Sequence, residues 1–264
     1  MNPIIMSADD YAYSASIDEA IIKLIKNDRL SATSCMVLSP RWKEAGALIT
    51  PAIRKKASIG LHLDFTQFGN AYPHVKLILL SLMRRLPKES IKISINKQLD
   101  AFEEVIGSSP DYVDGHQHIH QLPQIRDVLI EVLLERYQNN LPWLRIAKPP
   151  VSDGLKGLII RLLGANSLEK KALAFNFKCS TELLGVYGFN TSPASYQLML
   201  SKWVRQAKKN AGVPALMCHP AIQKYSNDKN NDPIFNARLI EYQVLNSEII
   251  GHILDGVNVV KSPA

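Results

Sequence analysis

The run Asp111-Tyr112-Val113-Asp114-Gly115-His116-Gln117-His118-Ile119-His120 holds three of the chain's seven histidines within five residues. Strict alternation predicts that His116, His118 and His120 all point to one face of an extended strand. Three imidazoles side by side are costly to bury without partners, whereas a divalent metal uses them directly. The run therefore predicts part of a metal-dependent active site. Three further segments carry groups that could join it: Asp9-Asp10 after the apolar Ile4-Ile5-Met6, His62 in Ile59-Gly60-Leu61-His62-Leu63, and His219 after Leu216-Met217-Cys218. Taken singly, each has a plain structural explanation. Taken together, each closes a predicted strand, and the C-terminal ends of strands are where (β/α) barrels collect catalytic groups. One carboxylate and two histidines make a common divalent site with open positions for water and substrate. The second acid can then act as a base, and a distant histidine can protonate a leaving group. These are the parts of a metal-assisted hydrolase.

The elements needed to position them follow from hydrophobic spacing. Ile4-Ile5-Met6, Ser34 to Leu38, Ile59 to Leu63, the histidine run, Trp143 to Ile146 and Pro214 to His219 read as short strands. Between them the 3.6-residue period predicts helices over 17–25 (capped by Ser14), within 41–53, and over 95–106, 123–137, 155–175, 192–211 and 235–253. Residues 67–89, with Gly69, Pro73 and Pro87 around an apolar core, read as an insertion that could cover the site; 179–189 and 227–233 read as loops. Alternation of strand and helix predicts an α/β fold with a mostly parallel sheet, and one domain spanning 1–264.

Composition narrows the class. The chain is 46% hydrophobic and 21% charged, ordinary for a globular protein with a sizeable core. Its net charge is +7, but the basic residues fall in scattered pairs and triplets such as Arg54-Lys55-Lys56 and Arg84-Arg85. With no basic stripe interleaved with aromatics, no nucleic-acid partner is expected. Cys35, Cys179 and Cys218 are far apart and predict reduced, mostly buried thiols. No signal peptide is read at the N-terminus, and the longest apolar stretch, around Leu77 to Met83, is too short to span a bilayer. A cytoplasmic protein without stable membrane insertion is expected, and a homodimer is compatible with everything read so far.

Ala8-Asp9-Asp10-Tyr11, Ile59-Gly60-Leu61-His62-Leu63, Asp114-Gly115-His116-Gln117-His118-Ile119-His120 and Leu216-Met217-Cys218-His219-Pro220-Ala221 resemble, in this order, the motifs of the YdjC-like carbohydrate deacetylases. That group includes chitooligosaccharide deacetylases and deacetylases linked to hopanoid biosynthesis. The resemblance implies a (β/α) barrel, complete or incomplete, related to the polysaccharide-deacetylase fold. It implies one divalent metal ion, Zn²⁺ or Mg²⁺ with others allowed, held by Asp10, His62 and His116. Asp9 becomes the general base and His219 the general acid; Arg145 orients the base or contacts substrate. His118, His120 and Asp64 are expected near the substrate. The chain departs from the family pattern at Tyr11-Ala12, where Phe-Gly is common, and at Asp18, where asparagine is frequent. Alanine adopts positive φ less easily than glycine, so the turn after the acids is expected to differ.

The expected reaction is hydrolysis of the N-acetyl group of an amino sugar, in a short oligosaccharide or a glycolipid head group. Two rivals are weighed against it. His62-Leu63-Asp64 could seed a 2-His-1-carboxylate Fe(II) oxygenase, but that chemistry usually sits on a jelly roll of many short strands. A non-catalytic sugar- or lipid-binding module would be expected to lack one member of the acid, base and ligand set, and all five are present.

Overall fold

A computed structural model describes residues 2–69, 72–224 and 232–263. β1 (Asn2–Tyr11) is the centre of the sheet, flanked by β2 (Ala32–Cys35), β3 (Ser58–Leu63), β4 (Tyr112–Gly115) and β5 (Trp143–Leu144) on one side. On the other lie β7 (Ala215–Cys218) and then β6 (Leu183–Leu184), while β8 (Val257–Val259) pairs with the start of β1. All these pairings are parallel. The two flanks are joined through residues 178–184: the Ser180 amide donates to the Leu144 carbonyl (3.0 Å), and the Thr181 amide to that of Val213 (3.0 Å). The result is a distorted α/β barrel whose strand ends all face one rim.

The helices outside it are α1 (Ala15–Lys26), α2 (Trp42–Gly46), α3 (Pro51–Lys56), α4 (His74–Leu82), α5 (Lys88–Ile106) and α6 (Ile125–Tyr137). After β5 come α7 (Gly154–Ile160), α8 (Asn166–Ala174), α9 (Pro193–Ala207), α10 (Phe235–Leu245) and α11 (Ile249–Ile253). Helices on the outer face leave β2, β3, β4 and β7 buried throughout, so these strands show no alternation of apolar and exposed polar residues. Ser14 caps α1, accepting from the Ile17 amide.

Several elements differ from the sequence expectation. The helix expected over 155–175 is broken at Arg161–Ala165, where Gly164 takes φ 136° and a Cβ would lie 2.1 Å from the Gln121 carbonyl oxygen. Packing against residue 121, invisible in local spacing, decides that break. The stretches expected over 41–53 and 235–253 each divide into two short helices, and β5 is only two residues long. Of the 227–233 loop, 227–231 lie outside the described residues. Cys35 and Cys218 are buried and all three cysteines are free. Among the described residues, no helix is long and apolar enough to cross a membrane.

Candidate active site

Regular alternation would send Asp9 and Asp10 to opposite faces of β1. The strand instead slips register between Ala8 and Tyr11, and Asp10 and Ala12 take φ 67° and 73°. This irregularity turns both carboxylates into one pocket. Ala12 therefore adopts the conformation that glycine would favour, and its surroundings hold it there. Its amide donates to Asp18 Oδ1 (2.6 Å) and its carbonyl accepts from Ser39 Oγ (2.6 Å). Asp18, pushed up to about 6 by burial against its bonds to Arg41 and Ala12, is thus part of the turn that aims the acids.

His62 and Asp114 are register partners across β3 and β4. Asp114 Oδ1 accepts from His62 Nδ1 at 2.6 Å, which leaves Nε2 facing Asp10 Oδ1 at 3.4 Å. His116 does not continue a strand. β4 ends at Gly115 and His116–Gln121 turns as a 3₁₀ segment, with Gln117 and His118 at φ 54° and 60°. The expectation of three histidines on one strand face is therefore corrected. His116 swings over the rim so that its Nδ1 lies 3.1 Å from Asp10 Oδ1, and His118 faces the pocket. His120 is turned back into the fold, fully buried, its Nε2 2.8 Å from the Arg145 carbonyl oxygen.

Asp10, His62 and His116 each offer a ligand atom within 4.8 Å of the others, as do Asp9, His62 and Asp114. The second trio is already occupied. The fully buried guanidinium of Arg145 spans Asp9 and Asp114, with Nη2 at 2.6 Å from Asp9 Oδ2 and 2.8 Å from Asp114 Oδ2. The first trio opens to the pocket and fits a divalent cation on electrostatic grounds. Asp9, Asp10, Asp114 and Asp232 bring four formal negative charges, and Arg145 and Arg238 return two positive ones. Burial opposes charge on His62, yet Asp114, with Asp10 and Asp9, holds the imidazole up to about 10, so the site demands positive charge there.

The same charges set the acids. Burial would raise Asp9, but the charge and hydrogen bonds of Arg145 outweigh it and hold the carboxyl at about 2. Asp10 is likewise held well below the usual range, against burial, chiefly by Arg238, whose Nη2 donates to Asp10 Oδ2 at 2.7 Å. Arg238 is itself fixed by Asp232, 2.6 Å from its Nε.

Across the pocket, His219 Nε2 lies 3.9 Å from Asp9 Oδ2, and the Phe189 ring stands edge-on to the imidazole. Burial pushes His219 down to about 4, so it is neutral at pH 7. Its backbone amide donates to Glu241 Oε2 (2.6 Å), and Tyr187 donates to Glu241 Oε1 (2.6 Å). The pocket encloses about 330 Å³, at the small end of the roughly 300–1,000 Å³ usual for ligand sites. Gln67 and His74, from the stretch read as an insertion, line it beside Tyr13, Lys156 and Met217.

The structure thus gathers Asp9, Asp10, His62, His116, His118 and His219 around one pocket. Arg145 lies beneath it, against the Asp9 carboxylate. Asp64 lies elsewhere: its carboxylate accepts from the backbone amides of Thr66, Gln67, Phe68 and Gly69, tying the loop after β3. Sequence reasoning gave no role to Asp114, Arg238, Asp232 or Glu241. Asp114 stands two residues before His116, a spacing that could have drawn attention. Arg238 and Glu241 read as ordinary charges on a helix.

A model of the family described as YdjC-like protein matches residues 3–255. A chitooligosaccharide deacetylase of Serratia marcescens is 25% identical over 233 residues, covering 83% of this chain and 81% of that protein. A carbohydrate deacetylase of Danio rerio is 25% identical over 169 residues, 58% of this chain, which thereby spans about half (51%) of that protein's length. Among solved structures, an Enterococcus faecalis protein provisionally described as a cellobiose-phosphate cleavage protein superposes with a TM-score of 0.73 at 18% identity, covering 98% of this chain and 97% of that one. The catalytic domain of a peptidoglycan N-acetylglucosamine deacetylase from Eubacterium rectale gives 0.51 at 7% identity, covering 98% and 87%. These likenesses establish the polysaccharide-deacetylase type of α/β fold.

Proposed function

This chain belongs to the YdjC-like family, and on that footing we propose that it is a metal-dependent N-deacetylase of a short N-acetylated amino sugar, releasing acetate and the free amine. One observation carries the reading: two histidines and one carboxylate converge at a pocket's base, with a second carboxylate beside them and a further histidine 3.9 Å from that carboxylate. The relatives named as carbohydrate and chitooligosaccharide deacetylases support the substrate class.

Asp10, His62 and His116 would hold the cation, Zn²⁺ or Mg²⁺, and Asp114 fixes the His62 tautomer so that Nε2 is free to ligate. Bound there, a divalent ion acidifies water and polarises the acetyl carbonyl. Asp9, ionised above about pH 2 and clamped by Arg145, takes a proton from the attacking water. So weak a base does not retain that proton. The neutral His219 imidazole, 3.9 Å away, receives it and delivers it to the departing nitrogen, which leaves as an amine rather than an anion. Arg145 keeps Asp9 oriented, and the buried walls limit competing water. The pocket holds none of Trp42, Trp143 or Trp203, all of which pack in the interior. A short sugar therefore suits it better than a long polymer, which would need a stacking platform.

The test is acetate release from N,N′-diacetylchitobiose by purified protein with added Zn²⁺ or Mg²⁺, with and without chelator, beside His116→Ala. Metal-dependent release that the substitution reduces on the order of a hundredfold or more is expected. Release unaffected by chelator and by His116→Ala refutes the proposal.

A further inference from the structure

Two helices at the pocket mouth leave apolar stripes in solvent. On α4 the stripe is Val75, Leu79 and Leu82; on α7 and the turn after it, Leu155, Ile159 and Leu162. All six are between 50% and 74% exposed, and both sets follow the i, i+4, i+7 spacing that usually faces a core. Both helices rest on the same segment that follows β4. Ser81 Oγ donates to the Pro123 carbonyl, and Gln121 Nε2 to that of Ile160 (2.7 Å). Both also reach the pocket itself, α4 through His74 and α7 through Lys156 and Ile160.

Charge on these segments has one sign. From Tyr72 to Lys88 the sequence carries Lys76, Arg84, Arg85 and Lys88 with no acid, and from Gly154 to Leu168 it carries Lys156 and Arg161 with no acid. Among the described residues, the one carboxylate paired with any of these six is Glu131, on Lys88. Asp153, Glu89 and Glu169 lie just outside these ranges. Apolar stripes on segments whose own charges are all basic nevertheless suit the interface of an anionic bilayer, where the apolar face sinks among the acyl chains and exposed cations such as Lys76, Arg84 and Arg85 meet lipid phosphates. A second copy fits less well, because a two-fold contact would set like charges against each other.

We infer that this face docks the protein on a negatively charged lipid bilayer, so that the pocket takes an N-acetylated sugar borne on a lipid anchor. The docking stands on the helices alone; the substrate class rests on the deacetylase reading proposed above. Such docking requires no membrane-spanning segment, since the stripes lie along the surface and only their apolar side chains enter the interface.

The test is sedimentation of the full chain with vesicles of phosphatidylcholine alone or mixed with phosphatidylglycerol. Co-sedimentation with the anionic vesicles, tenfold or more above the neutral ones and lost in high salt, is expected on the order of the cationic contributions involved. The double variants Val75→Glu/Leu79→Glu and Leu155→Glu/Leu162→Glu are each expected to weaken binding on the order of a hundredfold. Both should still release acetate from soluble diacetylchitobiose at the wild-type rate. Equal binding to both vesicle types, or equal binding by the variants, overturns the docking face. So does a wild-type dimer in analytical ultracentrifugation that the same variants dissociate, which would mark an interface between copies. An N-acetylglucosaminyl lipid deacetylated no faster in anionic than in neutral vesicles overturns the lipid-borne substrate. Vesicle binding is read without turnover and soluble turnover without vesicles, so failure of either is told apart from failure of the other.

Discussion

Substituting Asp114→Asn changes one atom in a fully buried side chain, yet it should weaken metal binding. The carboxylate accepts from His62 Nδ1 through Oδ1 and pairs with Arg145 Nη2 through Oδ2 at 2.8 Å. An asparagine can satisfy one of these contacts and not both. If its oxygen faces His62, its NH₂ faces the guanidinium, donor against donor. If it flips, the NH₂ faces Nδ1, the ring proton moves to Nε2, and the nitrogen that would ligate is blocked. Loss of such a partner behind a ligating histidine typically weakens metal binding about 10- to 100-fold, or about 1.4 to 2.7 kcal/mol. Arg145 keeps Asp9, so the cost in folding stability should stay below the roughly 3–5 kcal/mol of a fully broken buried pair. Titration of Zn²⁺ into chelator-stripped protein by calorimetry reads the affinity directly, and acetate release against free metal gives the functional constant. Most of the lost rate should return at saturating metal. An unchanged metal affinity in a folded Asp114→Asn protein would refute the assignment of Asp114 as the group that orients His62.

Arg145→Lys should lower kcat on the order of a hundredfold with little change in KM or metal affinity, because a point charge cannot clamp both Asp9 oxygens and the base drifts; a rise in KM alone would contradict a positioning role. Asp18→Ala strips the Ala12 amide and Arg41 of their buried partner, and urea unfolding should show a loss of about 2–3 kcal/mol. Activity should fall with it, since that turn aims Asp9 and Asp10; a loss of less than about 0.5 kcal/mol would mean the turn holds itself. Burial pushes the Glu241 carboxyl from its ordinary 4.5 up to about 7. Between those values the unfolded chain ionises while the folded one stays protonated, so this group's contribution to stability falls as pH rises, by about 3 kcal/mol. The stability of Glu241→Gln relative to wild type should therefore rise by that order between pH 4.5 and pH 8, read from urea curves; a pH-independent difference would show that Glu241 is not protonated in the folded state.

The residue types that could do chemistry were legible in the chain itself. Asp9-Asp10, His62, His116 and His219 each fall on or just after a predicted strand, and a parallel sheet brings the ends of such strands to one rim whatever the loops do. Alternation of short strands with amphipathic helices likewise sufficed for the fold class, because burial of both sheet faces leaves a local signal. What tertiary structure alone decided is where local spacing yields to a long-range contact. The histidine run reads as a strand, yet Gly115 ends it, and residues 116–121 turn so that His116 reaches Asp10 while His120 bonds the Arg145 carbonyl, 25 residues away. The helix expected over 155–175 breaks at Gly164 because the Gln121 carbonyl lies against it. Arg238 and Glu241 look like surface charges on an ordinary helix until folding buries them against Asp10 and His219, 228 and 22 residues away. Periodicity records which face of an element is buried. It does not record which distant charge that face will meet, and the electrostatics of this site are set by those meetings.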